Sequence, residues 1–165
     1  MVFKVKRKGK KREENFKVKL TKDQKSRTTF LPVEQSITVP STSGVKEQKK
    51  ISNSQMTARV NNVRRFMSKF GGFTDVKARG GFVLKKTDDP KEKGRLVKEK
   101  VVVVRAFATK KDFKKHEPEI IKQVGKWGKS WKQDSVSYEH EGDLLIIKPP
   151  ENSNSKPKVM KVSKP

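Results

Sequence analysis

Val101-Val102-Val103-Val104 constrains this chain more than any other stretch. Four successive β-branched side chains are stiff at χ1, which favours extended backbone over helix. Successive strand residues point to opposite faces, so an all-valine run is apolar on both. Such a strand is central and covered on both sides for part of its length. It reads as running from Leu96 to Ala108, with Lys98, Glu99 and Lys100 outside the covered zone.

Two helical patterns flank it. Met56, Val60, Val63, Met67 and Phe70 recur at helical spacing, after Ser52 or Ser54 as cap and before Gly71-Gly72 as stop. Phe113, Ile120, Val124, Trp127 and Trp131 form a second stripe between Lys110 and Lys132. Pro118 suits a first helical position, which predicts a main helix from about Glu117 after a separate turn at residues 109–115. Residues 73–78 and 82–86 read as a hairpin around Arg79-Gly80-Gly81. Two last strands are expected at residues 135–139 and 144–148, joined by Glu141-Gly142-Asp143. The expected fold class is α+β: two helices packed on a mainly antiparallel sheet of about five strands.

The ends have a different composition. The chain carries 42 Lys+Arg against 18 Asp+Glu, net +24, and only 31% hydrophobic residues. Residues 1–50 hold a like-charge block, two prolines and a Ser/Thr/Gly stretch, and read as an extended basic arm. Within it, Ile37 and Val39 alternate with Ser36 and Thr38 and could add a strand to another surface. Residues 51–150 read as the α+β domain and residues 151–165 as a basic tail. Met1-Val2-Phe3 runs directly into lysines with no apolar stretch, so neither a secretory leader nor a membrane span is expected. The absence of Cys excludes disulfides, thiolate metal sites and a cysteine nucleophile.

Lys and Arg neutralise phosphates and release counterions, so a basic surface binds polyanions without reading sequence. The candidate contacts are Lys4, Lys6, Arg7, Lys8, Lys10, Lys11 and Arg12 in the arm. Arg59, Arg64, Arg65 and Lys69 on the first helix, and Lys122, Lys126 and Lys129 on the second, complete the set. Asn61, Asn62 and Arg65 could read base edges in a helix-turn-helix, but a strand pattern follows where a second helix is needed. Asp134, Glu139, His140, Glu141 and Asp143 are the densest group of potential metal ligands or acid–base groups, yet they fall around an exposed turn. No Walker loop, GxGxxG or GxSxG occurs. No catalytic residue, metal or cofactor is therefore expected.

The segment Trp131-Lys132-Gln133-Asp134-Ser135-Val136-Ser137-Tyr138 resembles the ending of small α+β domains of bacteria and large phages. That resemblance spans residues 95–148 and implies a fold alone. The expected function is a non-enzymatic structural protein of a large assembly, first a virion component near capsid proteins and packaged nucleic acid. A ribosomal RNA-binding protein and a phage effector that blocks a host protein are the alternatives. The expected partners are capsid or ribosomal proteins and DNA or RNA, with no membrane, in the virion or the host cytoplasm.

Overall fold

A computed structural model describes residues 21–22, 31–44, 49–83, 94–151 and 155–162, with backbone only at 82 and 83. The chain divides into two compact units, residues 1–30 and 31–165, and the second holds the fold. It is α+β, with two helices packed on a six-stranded antiparallel sheet and a small two-stranded sheet beside it.

Strand β1 is Val33–Pro40, and the short strands β2 (Thr42–Ser43) and β3 (Lys49–Lys50) follow. Helix α1 is Asn53–Met67, continued by a 3-10 turn at Ser68–Phe70. Strands β4 (Thr74–Val83) and β5 (Leu96–Ala108) precede helix α2, Lys110–Ser130. Strands β6 (Val136–His140), β7 (Asp143–Lys148) and β8 (Lys158–Val162) complete the chain. The sheet order is β4-β5-β1-β6-β7-β8.

The valine strand is interior, paired with β4 on one side and β1 on the other. Val102, Val104, Ala106 and Ala108 face the helices and are buried. Val101 is buried on the opposite face, although no described helix covers that side. There Val76, Phe107, Leu144, Met160 and Val162 remain exposed.

Four expectations are corrected. The arm was drawn through residue 50, yet β1 lies inside the sheet between β5 and β6. Ile37 and Val39 are fully buried, so their alternation marked a core strand whose partners lie far along the sequence. Pro40 fits because Ser41 N–H bonds Lys100 O, which turns the proline nitrogen away from β5. Likewise β8, placed in the tail, is the edge strand beside β7.

The expected hairpin around Gly80-Gly81 is one straight strand. Gly80 pairs with Glu99 and Gly81 with Lys98. A Cβ on Gly80 would lie 3.2 Å from Val101 Cγ1, and one on Gly81 3.3 Å from Val97 O. The glycines serve close approach to β5, not a turn. Finally, α2 is one helix from Lys110, capped by Thr109, with Pro118 inside it. Pro118 and Lys114 are exposed, so the carbonyl left without a donor faces solvent.

Helix α1 begins in a reciprocal capping box. Gln55 N–H donates to Ser52 Oγ at 3.2 Å, and Ser52 N–H to Gln55 Oε1 at 2.9 Å. Gly71, at φ 108°, closes the following turn. Both helices lie on one face of the sheet and touch through Phe66 and Trp127, whose rings meet edge to face at 5.5 Å.

Candidate functional site: a basic interhelical groove

The helical stripes that bury Val60, Val63 and Phe66 on α1 and Val124 and Trp127 on α2 set the rotation of both helices. Their outer flanks then face each other across a groove of about 350 Å³. Asn62, Arg65 and Phe66 line it from α1, Lys69 from the 3-10 turn that follows, and Gln123 and Trp127 from α2. Apolar rings form its floor, two amides its walls and two cations its rim.

Lys69 Nζ sits 5.1 Å above the centre of the Phe66 ring and 2.8 Å from Glu119 Oε2. Lys69 holds the Glu119 carboxyl below the ordinary glutamate range, by hydrogen bond and by charge. Both side chains are about half exposed, at 44% and 53%, so the pair is held weakly and exchanges readily. Lys122, Lys126 and Lys129 project from the exposed side of α2 at i, i+4 and i+7. They and Arg65 make no ion pair within the described residues.

The remaining predicted contacts have other places. Arg59 is buried, not displayed. Its Nη1 donates to Pro40 O at 2.9 Å and Thr42 O at 2.8 Å, and its Nη2 to Trp131 O at 3.3 Å. The guanidinium also lies 5.4 Å from the Trp131 ring centre. It therefore ties the exit of β1 to the end of α2. Arg64 forms a fork with Asp75, Nε to Oδ1 at 3.0 Å and Nη2 to Oδ2 at 2.7 Å. Helical spacing alone did not separate these two arginines from Arg65, because their acceptors come from β1, β4 and the end of α2. Lys4, Lys6, Arg7, Lys8, Lys10, Lys11 and Arg12 lie outside the described residues.

Near Arg59, Thr42 Oγ1 donates to Glu99 Oε2 at 2.9 Å. Burial raises the Glu99 carboxyl above its ordinary range, against the opposing pull of Thr42, Arg59 and Ser41 N–H. An acid with a raised folded-state pKa favours the folded state below its ordinary range and loses that advantage as pH rises. Glu99→Gln should therefore match wild type in acid and become the more stable protein as pH rises through and above the glutamate range. Thermal melts of both proteins across pH check this; a difference independent of pH refutes it.

The carboxylate and histidine group of residues 134–143 is dispersed. His140 stacks on Phe113 at 4.5 Å on the helix side of the sheet, while Glu139 accepts a 3.4 Å bond from Ser36 on the other. Lys161 Nζ donates to Asp143 Oδ2 at 2.7 Å. Among the described residues no three His, Asp or Glu are placed to hold a metal. In the core beside His140, Tyr138 donates to Gln35 Oε1 at 3.2 Å. Burial, with the Glu117 charge, holds the Tyr138 phenol far above its ordinary range. No described helix is long and apolar enough to cross a membrane.

No protein-family model and no curated protein matches this chain. Two solved structures resemble it. One is a phage SAM lyase in complex with S-methyl-5'-thioadenosine, at 14% identity and TM-score 0.46, covering 80% of this chain and 89% of that one. The other is a phage SAM lyase in the apo state, at 15% identity and TM-score 0.43, covering 80% and 90%. Both are enzymes and neither is a capsid protein. The expectation of a non-enzymatic assembly component finds no counterpart in them and is not retained. The expectation was drawn from charge and from missing motifs, and neither reports whether a fold carries out a reaction. At this identity and TM-score no residue role, substrate or reaction passes from those structures to this chain.

Proposed function

We infer that the chain binds a polyanion, DNA or RNA, through phosphate contacts on the outer faces of α1 and α2. The carrying observation is that Arg65, on the groove, and Lys122, Lys126 and Lys129, on the exposed side of α2, make no ion pair among the described residues. Not every cation is free in this way: Arg64, Arg105, Lys158 and Lys161 each meet a carboxylate. Four cations without an ion-pair partner raise the potential over the outer helix faces and attract phosphate. By the same chemistry Lys4, Lys6, Arg7, Lys8, Lys10, Lys11 and Arg12 add further contacts. A net charge of +24 favours rapid encounter with any such polymer.

The test replaces Arg65, Lys122, Lys126 and Lys129 together by Ala in the full chain. All four are exposed, so the fold should persist. Affinity for duplex DNA should fall, and the slope of log K against log salt should become shallower by up to about 0.9 per lost contact. Unchanged affinity and slope overturn the reading.

A further inference from the structure

We propose that the groove between α1 and α2 takes an unpaired base of a single-stranded nucleic acid; the proposal rests on the phosphate-binding reading above. A surface for phosphate alone needs only cations. This groove adds Phe66 and Trp127 as an apolar lining, with the amides of Asn62 on α1 and Gln123 on α2. An amide offers both a donor and an acceptor, which matches the polar edge of a base. Aromatic floor, polar walls and cationic rim together are the chemistry of a single strand, whose bases are free to leave the stack. A duplex presents its phosphates but keeps its bases inside.

Lys69 controls access. Its ammonium covers the Phe66 ring while Glu119 holds it from α2. A phosphate of the incoming strand competes with Glu119 for the same ammonium. Lys69 then swings to the phosphate and uncovers the ring for the adjacent base. Glu119 is thus a competitor for the ligand's charge, and its removal should strengthen binding.

The probes are a short single-stranded oligonucleotide and the duplex of the same sequence, titrated into the full chain. The readouts are anisotropy and tryptophan fluorescence, Trp127 being the tryptophan that lines the groove. Single strand should quench the fluorescence and duplex should not. Asn62→Ala with Gln123→Ala should weaken single-strand binding on the order of tenfold and leave duplex binding unchanged. Glu119→Gln should tighten single-strand binding. Equal effects on both probes, or none, overturn the groove proposal while the phosphate reading stands. Failure of the full chain to bind either probe overturns both.

Discussion

Arg59→Leu is expected to destabilise the domain by about 1.5–3 kcal/mol, the scale of hydrogen bonds made by a charged group. The leucine leaves the carbonyls of Pro40, Thr42 and Trp131 without this donor. It also removes the cation that offsets the half-buried Glu99 charge. Arg59→Lys should be costly too, because one ammonium cannot reproduce a planar fork that reaches three carbonyls from two nitrogens. The consequence is local as well as global. Ser43 Oγ bonds the same Trp131 carbonyl at 3.1 Å, and Gln133 Nε2 bonds Thr42 O at 2.7 Å. These contacts join the exit of β1 to the end of α2 and should open together. Chemical denaturation measures the first effect, and amide exchange at Gly44, whose N–H bonds Lys132 O, measures the second. A loss below about 1 kcal/mol, the scale of an ordinary exposed interaction, would show that the arginine is not structural.

Gly125→Ala should destabilise by about 1–3 kcal/mol, the usual cost of overpacking, although helix propensity alone favours Ala by about 1 kcal/mol. A Cβ at residue 125 would lie 2.4 Å from Pro157 Cγ and 2.8 Å from Pro157 Cβ. The helix and the proline cannot both stay where they are. Pro157 immediately precedes β8, so the strain should loosen that edge strand first. Gly128→Ala should act in the same direction more weakly, its Cβ lying 2.9 Å from Pro149 Cγ and 3.4 Å from Val136 Cγ2. Unfolding curves give the sign, and amide exchange along β8 gives the place. A Gly125→Ala protein more stable than wild type would mean that the proline segment swings away freely.

Both predictions concern contacts that link distant parts of the sequence, and these are what the sequence reading missed. The stripes of α1 and α2 and the valines of β5 were legible because periodicity is local and each pattern exceeds a single turn. Strand β1 was harder. Ile37 and Val39 gave only two apolar steps beside Pro32, Pro40 and a basic segment, and charge counts averaged them into an arm. Gly80-Gly81 was read as a turn because glycine permits one. What decides it is close approach to β5, where a Cβ at Gly80 would lie 3.2 Å from Val101 Cγ1. At the groove, Arg65 and Lys69 could be read from an exposed helix face. Asn62 and Gln123 could not be paired, since nothing local says that those flanks face each other.

The position of β1 also has a kinetic consequence. It is made early, yet Ile37 pairs with Val104 on one side and Tyr138 on the other. A strand buried on both flanks must wait until most of the chain exists, so two long loops close before any pairing is rewarded. Such non-local order slows folding, and until it is complete β1 is an unsatisfied apolar strand. The dense lysine and arginine on either side keep nascent chains apart during that wait by like-charge repulsion. The same charge would thus also guard a slow folding step.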